Sequence, residues 1–201
     1  MKVAVFTGIR DLEVCERPMP VLERPGDVLL QIETVGVCGS DIHYYTEGRI
    51  GGQVIEHPAT LGHECAGTVV EVGSVVAGLE AGQRVAIDPA ISCGQCDQCQ
   101  QGRAHTCRNL QFLGCPGQAP GAAMEYITIA AESCYPIPDS MTMVQAALVE
   151  PLSVGIHAVR LAEMQPGGAV AVLGSGPIGL SVLLAVGALC PSRTYVTDLL
   201  D

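Results

Sequence analysis

Short apolar runs separated by turn residues make up the first two thirds of the chain. Runs rich in Val, Ile and Leu, often alternating with polar residues, are interrupted at short intervals by Gly and Pro. Such spacing is typical of a small, irregular all-β barrel or sandwich. The predicted strands of this part are residues 2–7, 27–37, 67–72, 84–87 and 125–129.

The hydrophobic pattern changes after about residue 140. Asp139-Ser140 can cap a helix over residues 143–149, and Pro151 can open a second helix because a first turn does not need the N–H that proline lacks. A strand, a Gly-rich loop, a helix and a strand then follow over residues 169–173, 174–176, 177–189 and 194–197. This order predicts the opening of a parallel βαβ unit.

The two patterns together predict an α/β chain with a β-rich first part. We expect one domain over residues 1–150 and the start of a doubly wound parallel sheet over residues 151–201. Two parallel strands with one helix leave edges and faces uncovered. The second domain is therefore expected to be incomplete, either because the natural protein is longer or because the chain is a fragment.

Charge and composition narrow the class of partner. The chain carries a formal net charge of −11, and its Lys and Arg residues are not clustered. This argues against nucleic acid and anionic membranes as partners, and it favours a neutral small molecule. The sequence has neither a signal peptide nor an apolar run of about 18 residues, which favours the cytosol.

Ten cysteines allow either disulfides or metal binding, and their clustering favours metal. Four of them follow the spacing C-x2-C-x2-C-x7-C, which suits a closed, structural zinc site. An iron–sulfur cluster is the alternative, but its bacterial motif has a shorter last interval followed by Pro. The four are Cys93, Cys96, Cys99 and Cys107, whereas Cys15, Cys65, Cys115, Cys134 and Cys190 are predicted to serve in packing.

A second, more dispersed set suits a catalytic zinc. Such a zinc needs about three protein ligands and one open position. Cys38, His63 and a carboxylate from Glu64 or Glu150 would supply them. Each residue alone also fits an ordinary role, because a cysteine can be a small buried hydrophobe and a histidine can lie in a core or at a surface.

The loop after the predicted strand 169–173 carries Gly174-x-Gly176-x-x-Gly179, with Pro177 and Ile178 between the last two glycines. Glycines in such a loop let the backbone approach a pyrophosphate at the helix N-terminus. Asp198, at the end of the next predicted strand, can accept hydrogen bonds from the adenosine ribose. A carboxylate there repels a 2′-phosphate and favours NAD over NADP. The alternative is a Gly-rich turn followed by an ordinary surface aspartate.

The order of these motifs resembles that of the zinc-containing alcohol dehydrogenases. The signature of that family is similar to a segment of this chain, Gly62-His63-Glu64-x2-Gly67-x5-Gly73-x2-Val76. The resemblance implies a GroES-like catalytic domain followed by a Rossmann domain. Glu150 stands where many members have a third cysteine ligand. This replacement and the segments 38–45 and 48–51 resemble the sorbitol/xylitol dehydrogenase branch.

That resemblance implies roles for individual residues. Zinc is expected on Cys38, His63 and Glu64, with Glu150 binding through water or replacing a ligand; which glutamate binds directly stays open. Tyr44, Phe112 and Ser40 are expected to contact substrate. Ser40 and His43 have the spacing of the family's proton relay, so Ser40, His43 and Glu150 are the candidate catalytic residues.

The implied reaction is oxidation of a secondary alcohol of a polyol by NAD to give a ketose, with one catalytic and one structural zinc. The resemblance also implies a homo-oligomer, either a dimer or a tetramer. Two alternatives remain. One is another zinc dehydrogenase, acting on threonine, butanediol or a simple alcohol; the other is a catalytically inert fragment stabilised by zinc.

Overall fold

A computed structural model describes residues 1–165, 167–189 and 191–199, so Cys190 and its predicted packing role lie outside the described residues. The chain divides into two units, Met1–Ala147 and Leu148–Asp201. Among the described residues, no helix is long and apolar enough to cross a membrane.

Short strands, three α-helices and two 3₁₀ helices (Ala104–Thr106 and Ala131–Ser133) build the first unit. The α-helices are α1 (Gly39–Glu47), α2 (Asp97–Gln100) and α3 (Met143–Ala147). The strands are β1 (Lys2–Gly8), β2 (Asp11–Glu16), β3 (Asp27–Val35), β4 (Arg49–Ile50), β5 (Gln53–Val54), β6 (Cys65–Val72), β7 (Arg84–Ile87), β8 (Ala90–Ile91), β9 (Gln111–Phe112), β10 (Tyr126–Ala130) and β11 (Cys134–Pro136).

A five-stranded antiparallel sheet in the order β10-β3-β6-β7-β11 holds the core of this unit. Val28 and Leu30 of β3 are fully buried, as is Val85 of β7. Each such side chain stabilises the fold by about 1.5–3 kcal/mol on burial. Two-stranded sheets formed by β1-β2, β4-β5 and β8-β9 complete the unit, which is the irregular β architecture that the turn spacing predicts.

Strands β3 and β6 approach each other closely at Gly67. A Cβ atom at Gly67 would overlap the carbonyl of Gln31 on β3. The pairing is irregular between Ile32 and Thr34, and it ends with Val35 opposite Cys65. Strand β3 ends with this last pair, before the predicted residue 37.

Helix α1 is absent from the predicted elements. It begins after Cys38, where the Asp41 side chain accepts a hydrogen bond from the Cys38 backbone N–H, and it ends at Gly48 with φ 71°. A capping box at the start and a left-handed glycine at the end are standard helix boundaries. The helix carries little hydrophobic periodicity, because its buried residues include the charged Asp41 beside Tyr44, whereas the apolar Ile42 is exposed. The apolar pattern therefore does not predict this helix.

Helix α3 begins at the predicted residue 143, but its cap differs from the prediction and it ends at Ala147 instead of residue 149. Thr142, and not Asp139 or Ser140, makes reciprocal capping hydrogen bonds with Gln145. Thr142 Oγ1 accepts from the Gln145 N–H at 3.2 Å, and Gln145 Oε1 accepts from the Thr142 N–H at 2.9 Å. Thr142 directly precedes Met143, so this capping box accounts for the start of α3 at that residue.

The second unit consists of α4 (Val149–Leu161), β12 (Ala169–Leu173), α5 (Pro177–Gly187) and β13 (Arg193–Thr197). Helix α4 begins before the predicted Pro151, which still lies within the first turn, where a missing N–H is tolerated. Strands β12 and β13 are parallel, with Leu173 opposite Thr197. The predicted parallel βαβ unit is confirmed.

The contact at Gly67 gives a first prediction. Gly67→Ala should lower the free energy of unfolding by about 1–3 kcal/mol, because the added methyl group forces β3 and β6 apart. Urea unfolding followed by circular dichroism measures the change. Gly52→Ala is the matched control, because a Cβ there meets nothing within 4 Å, and it should change stability by less than about 0.5 kcal/mol. Equal midpoints for the two variants would show that the β3–β6 approach is not a tight one.

Candidate functional site

Cys38, His63 and Glu64 come together in the first unit. One ligand atom from each lies within 4.8 Å of the other two. His63 and Glu64 are each 8% exposed, and Cys38 is half-buried. Buried groups of this kind need hydrogen bonds, ion pairs or a metal to compensate for the loss of water. A thiolate, an imidazole and a carboxylate form a donor set that zinc accepts, with room for a fourth ligand.

The pairing of β3 with β6 places these residues side by side. Beyond the last strand pair, the backbone N–H of Gly36 donates to the Glu64 carbonyl at 2.6 Å. Gly36 also leaves space for the Glu64 side chain: a Cβ at Gly36 would lie 2.9 Å from the Glu64 Cβ and would overlap its carboxylate. Glycine at position 36 therefore leaves the space in which the Glu64 carboxylate lies close to Cys38.

Asp41 connects two members of this cluster, and it had no predicted role. Its Oδ2 accepts the Cys38 backbone N–H at 3.0 Å, and its Oδ1 lies 4.0 Å from Nδ1 of His63. Burial raises the pKa of Asp41, whereas hydrogen bonds from the Cys38 and Gly62 backbone and the charge of His63 act against that rise. The spacing Cys-x-x-Asp at a helix start is the signal that would have revealed it.

Phe112 and Tyr44, the predicted substrate contacts, have different surroundings. The ring of Phe112 meets the ring of His63 edge-on, with centroids 5.3 Å apart. Tyr44 is 5% exposed, and its hydroxyl donates to Gln53 Oε1 at 2.9 Å. Gln53 in turn donates to Sγ of Cys115 at 2.9 Å. Cys115 is half-buried and accepts this hydrogen bond, a contact additional to its predicted role in packing.

Ser40 and His43 both lie on α1, where residues three apart share one face. Ser40 is half-buried and His43 is exposed. Nδ1 of His43 lies 3.4 Å from a carboxylate oxygen of Glu47, one turn further along the helix. Glu150 belongs to the second unit, in the first turn of α4, where the Ser153 hydroxyl donates to its backbone carbonyl. The choice between Glu64 and Glu150 as direct metal ligand stays a prediction.

The four-cysteine cluster forms a separate group. The sulfur atoms of Cys93, Cys96, Cys99 and Cys107 all lie within 4.8 Å of one another. Backbone N–H donors of Cys99 and Arg108 lower the pKa of Cys96 to about 6, while burial and neighbouring thiols raise the pKa of Cys99 to about 11. Thiols this close share protons, so a cation that replaces those protons would bind strongly.

The Gly-rich loop of the second unit joins β12 to α5. Gly174 has φ 98°, Gly176 caps α5, and Pro177 is the first residue of that helix. A Cβ at Gly179 would overlap the Gly174 carbonyl, whereas a Cβ at Gly176 would point into open space. Ile178 is exposed. These features fit a loop whose backbone a pyrophosphate can approach.

Comparison with known proteins identifies relatives of the whole chain. Residues 24–139 match the family model for the alcohol dehydrogenase GroES-like domain. Sorbitol dehydrogenase of Bacillus subtilis (strain 168) is 44% identical over 199 residues, which cover 99% of this chain and 56% of that enzyme. L-Idonate 5-dehydrogenase of Vitis vinifera is 40% identical over 198 residues, which cover 98% of this chain and 54% of that enzyme. The chain spans about half the length of these relatives.

A solved structure gives the same result for the fold. Galactitol-1-phosphate dehydrogenase from Escherichia coli superposes with a TM-score of 0.89 at 31% identity. The match covers 98% of this chain and 55% of that protein. The similarity therefore extends over both units of the chain.

The contact between Gly36 and Glu64 gives a prediction about metal binding. Gly36→Ala should displace the Glu64 carboxylate and lower the zinc content from about two towards about one per chain, since the four-cysteine cluster keeps its ligands. Elemental analysis after dialysis against a weak chelator measures the content. Gly26→Ala is the control, because a Cβ there has no neighbour within 4 Å. An unchanged zinc content in Gly36→Ala would contradict the assignment of Glu64 as a ligand.

Proposed function

The chain belongs to the alcohol dehydrogenase family with a GroES-like catalytic domain, and from this premise we propose that it carries the metal centre of a zinc-dependent, NAD-linked polyol dehydrogenase. The predicted family and fold are confirmed by the match. The single observation that carries the proposal is the convergence of Cys38, His63 and Glu64 in a buried cluster of the first unit.

Two zinc ions are proposed, one in each cluster. The four cysteines would hold a structural zinc, because four sulfur ligands leave no open position. Cys38, His63 and Glu64 would hold a catalytic zinc, since a thiolate and a carboxylate together balance its two positive charges. A zinc with an open position supplies a Lewis acid that lowers the pKa of a bound hydroxyl group.

The residues around the cluster have distinct parts in the proposed reaction. Asp41 orients Cys38 through the backbone and faces His63 at 4.0 Å. Ser40 would accept the proton of the substrate hydroxyl while giving its own hydroxyl proton to His43, from which a proton would pass to solvent. The exposed position of His43 and its proximity to Glu47 support the solvent end of this route. A bound nicotinamide cofactor would supply the hydride acceptor for oxidation of the substrate alcohol to a ketose.

The polyol substrate is supported by the relatives, which include a sorbitol dehydrogenase and an idonate dehydrogenase. Phe112 beside His63 would provide an apolar wall, and Tyr44 with its partner Gln53 would provide polar contacts. Glu150 stays a candidate ligand or base. A homo-oligomer, either a dimer or a tetramer, and a cytosolic location stay predictions from the family resemblance and the composition.

NAD as the cofactor rests on the Gly-rich loop and Asp198. Gly174, Gly176, Pro177, Ile178 and Gly179 would surround the pyrophosphate at the start of α5. Asp198 follows β13, and its carboxylate would accept hydrogen bonds from an unphosphorylated adenosine ribose and repel a 2′-phosphate.

A substrate panel tests the proposal. The zinc-loaded chain with NAD should produce NADH from sorbitol or xylitol faster than from threonine, 2,3-butanediol or ethanol. Cys38→Ala should lower the rate at least about 100-fold, because the Lewis acid contributes several kcal/mol to the barrier. Cys15→Ala removes a thiol of the same unit outside both clusters and should keep the parent rate.

Two results would overturn the proposal. A higher rate with threonine, butanediol or ethanol would assign the chain to another group of zinc dehydrogenases. A zinc-loaded chain that produces no NADH from any of these alcohols would support the inert, zinc-stabilised module.

A further inference from the structure

The end of the β12–β13 pair places Ser175 next to Asp198. The last residues of the two strands, Leu173 and Thr197, are register partners, and the Gly174 N–H donates to the Thr197 carbonyl at 2.8 Å. One residue further on, Ser175 faces Asp198. Its backbone N–H and its hydroxyl both donate to Oδ2 of Asp198, at 2.7 Å and 2.6 Å.

A third donor fixes the other carboxylate oxygen. The backbone N–H of Leu199 donates to Oδ1 of Asp198 at 2.6 Å. A carboxylate offers about four acceptor positions. The chain itself therefore supplies at least three donors to this carboxylate, two of them from Ser175. Hydrogen bonds to an ionised acceptor are shorter and stronger than those between neutral groups, so this arrangement restrains the orientation of the carboxylate.

Ser175 occupies the x position between Gly174 and Gly176. The glycine pattern alone assigns no role to this position. We propose that Ser175 is a positioning residue for cofactor selection: it holds the Asp198 carboxylate ready for the adenosine ribose of NAD. This inference rests on the proposed function, because it presumes that the loop binds a nicotinamide dinucleotide. Pre-organised acceptors bind a ligand more tightly, since less conformational freedom is lost on binding.

The same arrangement opposes NADP. A restrained carboxylate cannot turn away from a 2′-phosphate, and the repulsion between the two negative groups is therefore retained. Loss of the Ser175 hydroxyl should free the carboxylate to turn, which weakens the binding of NAD and relieves the repulsion of NADP. The backbone N–H of Ser175 remains in an alanine variant, so Ser175→Ala removes one hydrogen bond and leaves the loop backbone intact.

Calorimetric titration of the zinc-loaded chain with NAD and with NADP tests the inference without an activity assay. The parent should bind NAD more tightly than NADP. Ser175→Ala should weaken NAD binding roughly 3- to 10-fold, the equivalent of one hydrogen bond, and should narrow the preference for NAD. Ser175→Thr keeps the hydroxyl and should retain the parent preference. Ser192→Ala removes an exposed serine hydroxyl of the same unit and should leave both affinities unchanged.

A double-variant cycle identifies the route of the effect. If Ser175 acts through Asp198, Ser175→Ala should change NAD affinity by less than about twofold when Asp198→Ala is already present. A full effect in that background would overturn the positioning role, because Ser175 would then contact the nucleotide itself.

Failure of the inference and failure of the proposed function give different results. A parent that prefers NAD, with the same preference in Ser175→Ala, would overturn the inference and leave the proposed function standing. A parent that binds neither dinucleotide, or that prefers NADP, would overturn both.

Discussion

The antiparallel pairing of β3 with β6 is the constraint on which the candidate metal centre depends. The two strands lie in the middle of the five-stranded sheet, with buried apolar side chains on β3 and β6. Their pairing ends at Val35 and Cys65. The residues that follow Val35 therefore lie opposite the residues that precede Cys65. Cys38 and the pair His63-Glu64 are distant in sequence, and this register makes them neighbours.

Small residues make that arrangement possible. Gly67 lets the two strands approach, and Gly36 leaves the space that the Glu64 carboxylate occupies. Burial of the ligands then has an energetic consequence. Buried polar groups of this kind need a cation or hydrogen-bond donors to compensate for the loss of water. Asp41, with its raised pKa, shows the same effect next to the cluster. The site is thus suited to a divalent cation before any ligand is considered.

Much of this could be predicted from the sequence, and the exceptions have physical reasons. The strands with alternating apolar residues, the four-cysteine spacing and the βαβ unit are local signals, and local signals survive in a single sequence. Helix α1 could not be found from periodicity, because it buries the charged Asp41 and exposes the apolar Ile42. Gln53 and Cys115 meet through a contact between distant segments, and only the fold reveals it, whereas the spacing Cys-x-x-Asp is a local signal for Asp41. The bond between Ser175 and Asp198 likewise depends on the register of β12 and β13.

The central claim is that Cys38, His63 and Glu64 bind one zinc ion separate from the four-cysteine cluster. Anomalous diffraction at the zinc absorption edge, from crystals of the zinc-loaded chain, measures this directly. The account predicts two anomalous peaks, one among the four sulfur atoms and one at about 2.0–2.3 Å from Sγ of Cys38, a ring nitrogen of His63 and a carboxylate oxygen of Glu64. A single peak at the four cysteines, with none at Cys38, would contradict it.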